Sequence, residues 1–226
     1  MKHITTILLA TVAAAGLMSS AYAADLIIMD EPAPMGVVDV GGNWDGAYIG
    51  VFVGGGWAHA DHIANPPNND LDLAGWLIGV DVGANFTLDG GIVLGVVGDI
   101  AWSDITGDDD GAFAFDTTHT IDWQGSLRGK VGFDGGAFMP YLTGGLAFAH
   151  AVRTSSAGVD NEASATHVGW TVGAGVEFAA TEELSVNLEY RYSDLGEQVY
   201  DWSGPGINPT IDLTTHTVTA GLHWNF

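Results

Sequence analysis

The sequence predicts an all-β protein, an eight-stranded antiparallel up-and-down transmembrane β-barrel. Three observations carry that reading. Apolar and polar residues alternate with period two through several long segments. The connections between those segments are alternately short and long. The composition joins 33 Gly and 8 Trp to only 15% charged residues in a chain of 226. An average chain has about 25% charged residues and about 7% Gly.

The chain opens on Lys2 and an apolar run from Ile4 to Met18, then Ser19-Ser20 and Ala21-Tyr22-Ala23. A basic start, a short apolar run and small residues make a secretory signal, with cleavage expected after Ala23. The run falls short of the roughly 20 residues that a helical span needs. Segment 1–23 is thus read as a signal peptide and 24–42, with Pro32 and Pro34, as an extended periplasmic lead-in. Residues 43–226 are assigned to the barrel.

The last strand is the plainest: Val218, Ala220, Leu222, Trp224 and Phe226 alternate with Thr217, Thr219, Gly221, His223 and Asn225. Before it, Val186, Leu188, Tyr190 and Tyr192 oppose Ser185, Asn187, Glu189 and Arg191. The sixth strand sets Val168, Trp170, Val172, Ala174, Val176 and Phe178 against His167, Gly169, Thr171, Gly173, Gly175 and Glu177. The fourth sets Ile121, Trp123, Leu127, Val131 and Phe133 against Asp122, Gln124, Ser126, Arg128 and Lys130. Strands one, two, three and five show the same parity through Gly-rich sequence around Val51, Val80, Val96 and Leu142.

Short connections fall at 88–91, 133–138 and 179–183, with long polar loops expected over 58–70, 104–117, 153–165 and 194–213. Loop lengths segregated to opposite ends belong to an outer-membrane barrel. A soluble β-sandwich, the alternative, has no reason to sort them. Trp57, Trp76, Trp102, Trp123, Trp170 and Trp224 then read as interfacial girdles. The opposite face collects Asp81, Asp99, Asp122, Arg128, Lys130, Glu177, Glu189 and Arg191, an expected charge network in the lumen. Inward glycines such as Gly79, Gly83 and Gly175 leave space there that water could take.

The net charge of -23, from 5 Lys+Arg against 28 Asp+Glu, excludes nucleic acid as a partner. Zero Cys excludes a disulfide scaffold, a thiolate metal site and a Cys nucleophile. His59, His62, His119, His150, His167 and His216 fall near the loop ends, and their parities disagree: His167 goes with the polar face, His119, His150 and His216 with the lipid face. They are read as interfacial residues and not as a metal or haem site. Asp104, Asp108, Asp109 and Asp110 lack EF-hand spacing and read as a solvated acidic loop with at most loose divalent binding. No cofactor is expected.

The opening Asn-Trp-Asp-Gly-Ala-Tyr-Ile-Gly (43–50), Pro-Tyr-Leu-Thr-Gly-Gly (140–145) and Leu-Glu-Tyr-Arg-Tyr (188–192) resemble the RopB-type small outer-membrane β-barrels of α-proteobacteria. Those are related to the OmpA membrane domain and to opacity-type porin-family proteins. The resemblance implies an outer-membrane location and contact with lipid and lipopolysaccharide. It also implies a role as surface antigen or envelope-stabilising protein, or alternatively a small porin. The closing Val-Thr-Ala-Gly-Leu-His-Trp-Asn-Phe resembles the signal read by the barrel-assembly machinery, with Leu222, Trp224 and Phe226 on its lipid side. A host surface molecule is a candidate ligand for the loops by analogy alone. The His-x-Ser pair of lipid A deacylases, barrels of this size, is absent, and no enzymatic activity is expected.

Overall fold

A computed structural model describes residues 44–62, 71–109, 117–155, 161–199 and 210–226. The signal-peptide and lead-in assignments lie outside them. The strands are β1 Gly46–His62, β2 Leu71–Thr87, β3 Ile92–Asp109, β4 Thr117–Phe133, β5 Phe138–Ser155, β6 Asn161–Ala179, β7 Leu184–Val199 and β8 Thr210–Asn225. Each pairs antiparallel with its sequence neighbours, and β1 pairs with β8, so the sheet closes on itself. Closure satisfies the backbone within the sheet, which hydrocarbon demands because it offers no hydrogen bonds.

Four-residue turns at 88–91, 134–137 and 180–183 join strands at one end. Gly90 and Gly91 take φ of +90° and +81° in the first, a left-handed conformation that other residues resist. At the other end the strands run well past the expected loop boundaries. They are 16 to 19 residues long, against about 9–11 needed to span. Much of 58–70, 104–117, 153–165 and 194–213 is therefore strand rather than loop.

The extensions escaped the sequence reading because their polarity reverses. On β2, Ile78, Val80, Val82 and Phe86 face outward and are exposed, while Asp81 and Asn85 are buried inside. Higher on the same strand Leu73 is buried and Asp72 exposed. On β8, Leu222 and Trp224 face out and Thr219 and His223 in. Above them Ile211 and Leu213 are buried beside a half-buried Asp212. Parity is kept while the medium outside changes from lipid to water. An alternation that changes sign looks like a break in the pattern.

The outward apolar band is bounded by two girdles. The turn-end girdle is mainly phenylalanine: Phe86, Phe133, Phe138 and Phe178, with Trp224. The opposite one is Trp, Tyr and His: Trp57 stacks on His216 at 5.3 Å, Trp170 meets Tyr192 at 5.5 Å, and Trp123 stacks on His150 at 5.7 Å. Tyr190 and His216 are hydrogen-bonded at 2.7 Å. On β2 the girdles are ten residues apart, Trp76 to Phe86. That is about 33 Å along a strand, or about 25 Å of height at a tilt near 40°. The band has the thickness of an outer-membrane hydrocarbon layer.

Three sequence assignments are corrected on β4, those of Asp122, Ile121 and His119. Asp122 is skipped in both ladders: Ile121 pairs with Ala151 and Trp123 with His150 on one side, while Ile121 pairs with Ile105 and Trp123 with Trp102 on the other. Asp122 is the extra residue of a β-bulge, and the bulge reverses the inward parity of everything beyond it. Asp122 is exposed and Ile121 is buried in the core. His119 is buried inside and does not face lipid.

Candidate functional site

The lumen is stratified. At the turn end Trp44, Val93, Met139 and Tyr141 form a small apolar cluster. Trp44 donates its indole N–H to Asp134 at 3.1 Å, which ties the residue to the turn between β4 and β5. At the far end Phe52, Leu73, Leu77, Ile105, Ile121 and Leu213 head a larger aliphatic cluster. Between the two lies a layer of buried polar and charged side chains.

The polar layer holds two groups of ions. Arg128 is the centre of the first: it donates to Asp99 at 2.9 Å, Glu189 at 2.5 Å, Thr143 at 3.0 Å and Ser126 at 2.8 Å. Arg191 donates to Asp99 at 2.9 Å and lies 3.7 Å from Glu189. Ser126 donates to Asp99 as well. In the second group Lys130 donates to Glu177 at 2.8 Å, and its ammonium sits 4.5 Å from the Tyr141 ring centre. His223 presents Nδ1 to Glu177 at 2.9 Å and Nε2 to Asp81 at 3.3 Å, stacked on Tyr48 at 4.6 Å. Ser185 donates to Glu177 at 2.5 Å.

These pairs tie strands that are not neighbours. Arg128 joins β4 to β7, Lys130 joins β4 to β6, Arg191 joins β7 to β3, and His223 joins β8 to β2 and β6. Cross-lumen struts of this kind resist flattening of the barrel. Charges in a dry interior hold only when paired with good geometry, and removal of one partner strands the other.

Seven of the eight residues expected in the lumen network meet there: Asp81, Asp99, Arg128, Lys130, Glu177, Glu189 and Arg191. Asp122 does not, for the reason given by the bulge. His223 is the member that sequence reasoning missed. Its inward parity was legible, and what hid it was that an isolated His in the last strand carries no sign of two facing carboxylates. Leu222, Trp224 and Phe226 lie on the outer face, all exposed. Among the described residues, no cluster of three or more His, Asp or Glu side chains could hold a metal ion.

The glycine-rich inner face is occupied. A Cβ placed on Gly79 would stand 2.4 Å from the Phe52 ring, on Gly83 2.4 Å from the Tyr48 ring, and on Gly175 2.5 Å from the Tyr141 ring. These glycines make room for large side chains from neighbouring strands, which corrects the expectation that they leave space for water. Two voids of about 10 and 20 Å³ lie in the polar layer beside Asp81 and Glu189. Each has about the room that one water needs.

A closed antiparallel barrel with an apolar belt, two girdles and a charged filled interior is an integral outer-membrane protein. Residues 9–226 match the family described as outer membrane protein beta-barrel domain. The chain belongs to that family, and its relatives are small outer-membrane barrels of α-proteobacteria. It is 31% identical to a 31 kDa outer-membrane immunogenic protein of Brucella melitensis, over 98% of this chain and 99% of that one. It is 32% identical to a 25 kDa outer-membrane immunogenic protein of Brucella abortus over the full length of both. A 22 kDa outer membrane protein of Rhizobium leguminosarum is 35% identical over 80% of this chain and 78% of its own.

Proposed function

We propose that this chain is a non-conducting, non-enzymatic barrel with a structural and surface-interaction role in the bacterial envelope. The observation that supports this best is the lumen, which is filled with side chains at three successive levels. Eight strands enclose an interior that side chains alone can fill. Its buried charges are engaged with each other across the barrel, as struts rather than as a lining. The names of the Brucella relatives, outer-membrane immunogenic proteins, support a surface-exposed role as antigen.

Single-channel recording of the refolded protein in a planar bilayer tests this reading. No stable openings are expected. Reproducible openings across preparations would replace it with the alternative, a small porin passing ions or small solutes through a rearranged network. The apolar belt supports contact with outer-membrane lipid, and the acidic rim supports contact with lipopolysaccharide through bridging cations. Leu222 and Trp224 on the lipid side of β8, with Phe226 just past its end, support recognition by the barrel-assembly machinery during biogenesis. Deletion of Phe226 is expected to leave folding into detergent intact and to lower surface delivery in cells. Normal surface levels would remove that role.

A further inference from the structure

The two groups of buried ions differ in their charge balance. In the first, Arg128 and Arg191 face Asp99 and Glu189, two cations to two carboxylates. In the second, Lys130 faces Glu177, and Asp81 is also buried there with only His223 as an ionic partner. Lys and Arg alone leave that group one cation to two carboxylates.

His223 stands between the two carboxylates in question. Its Nδ1 is 2.9 Å from Glu177 Oε1 and its Nε2 is 3.3 Å from Asp81 Oδ2. A carboxylate oxygen only accepts, and a neutral imidazole has a single N–H to donate. The neutral ring would turn a lone pair toward one carboxylate, inside a buried layer where an unpaired charge is costly. The imidazolium donates to both, and it brings the second group to two cations and two carboxylates.

The surroundings of the ring suit a cation. Tyr48 of β1 is stacked on it with centroids 4.6 Å apart, and an aromatic face attracts positive charge. Asn187 of β7 has its amide nitrogen 3.3 Å from Nε2, while its Oδ1 is buried with no hydrogen-bond partner. Turned over, the same amide offers Oδ1 to the Nε2–H. Arg128 and Lys130 of β4, Tyr141 of β5 and Glu189 of β7 border the void beside the ring. Both bases are engaged elsewhere, Lys130 with Glu177 and Arg128 with Glu189 and Asp99. Asp81 therefore depends on His223.

The ring also lies at the seam where the sheet closes. His223 is opposite Gly50 on β1 and Ser185 on β7. A Cβ at Gly50 would collide with both Asp81 Oδ1 and the His223 ring. Glycine there lets β8 reach β2 over the strand between them.

We propose that the lumen binds one structural proton, carried by His223, which makes this side chain the fourth cation of the polar layer and a latch that ties the closing strand β8 to β2 across β1 and to β6 across β7. The proposal holds whether or not the barrel conducts, because it concerns charge balance and closure alone.

The test uses the full chain refolded in detergent micelles with nitrogen-15 in its histidines. Contacts with the Tyr48 ring protons identify the His223 signal. At neutral pH an imidazolium gives two nearly equal nitrogen shifts, and a neutral ring gives two widely separated ones. Nearly equal shifts are expected. Separated shifts would overturn the proposal, since the proton would then not be on the ring. His223→Gln strands Asp81 and should lower the folding equilibrium constant by about a hundredfold or more. Adding Asp81→Asn removes the stranded carboxylate and should recover about tenfold or more of that loss. A double variant no more stable than His223→Gln would reduce the ring to packing and overturn the latch. In His223→Gln, amide exchange should rise along β1 and β8 more than along β3 to β5. An even rise around the barrel would also overturn the latch.

Discussion

Between the girdles the strands are oily outside and enclose a layer of ions, and above the Trp57–Trp170 girdle strands such as β2 and β8 are polar outside and oily inside. In the lower part Val82 faces lipid and Asp81 faces the lumen. In the upper part Asp72 faces water and Leu73 faces the core. The lower part obtains its outward apolar face from the bilayer, so its interior is free to hold ions that pair across it. The upper part stands in water and must make its own hydrophobic core, as a soluble barrel does. One sheet thus obeys two solvents, and the side chains change sign where the solvent does.

The largest expected effect comes from the lower interior. Arg128→Ala removes the donor that Glu189 and Asp99 share and leaves buried carboxylates short of a partner. A loss of about 3–5 kcal/mol is expected, read as a lower urea midpoint for the protein in lipid vesicles. A change close to zero would mean that water reaches the polar layer and screens it. Next comes the upper interior: Ile105→Ala opens a cavity in the aliphatic cluster at a cost of about 2–5 kcal/mol in the same assay. If that variant were as stable as the parent, the rim would not be a packed core, and the comparison of the two regions would fail.

The outer faces separate the regions further. Val82→Arg places a charge near the middle of the band and should cost about 2–4 kcal/mol. Thr214→Arg, above the girdle, should cost about 0–1 kcal/mol as a surface charge. Similar penalties for the two would put the membrane boundary in the wrong place. The smallest effect is expected at the rim pair of His59 and Asp72, 2.8 Å apart with Asp72 almost fully exposed. Asp72→Asn should change stability by about 0–1 kcal/mol. A larger loss would show that the rim is held by its ion pairs as the lumen is.

Much of this could be read before the fold. Period-two alternation with a uniform outer face, from Val168 to Phe178 or from Val218 to Trp224, is dictated locally by contact with lipid, and it needs no tertiary knowledge. The turns at 88–91 and 134–137 are written in Asp-Gly-Gly. The strand extensions were not legible, because 58–60 and 210–213 alternate with the sign reversed and the reversal depends on how high the girdle stands. Asp122 shows the other limit: a single inserted residue in β4 moves it outward, and no composition or period marks the bulge.

The sequence by itself determined the class of fold, the number of strands, the end at which the turns lie and the inward parity of seven of the eight charges assigned to the lumen. Alternation is a property of neighbours in the chain, so it survives without the rest of the molecule. Tertiary structure decided which charges meet. Arg191 and Asp99 are 92 positions apart, and His223 and Asp81 142. Strand tilt and register bring them to one level, and closure of the ring turns a row of inward side chains into partners. Closure also decided that the inner glycines receive the rings of Phe52, Tyr48 and Tyr141. Register accumulates around a closed sheet strand by strand, and no single segment records the sum.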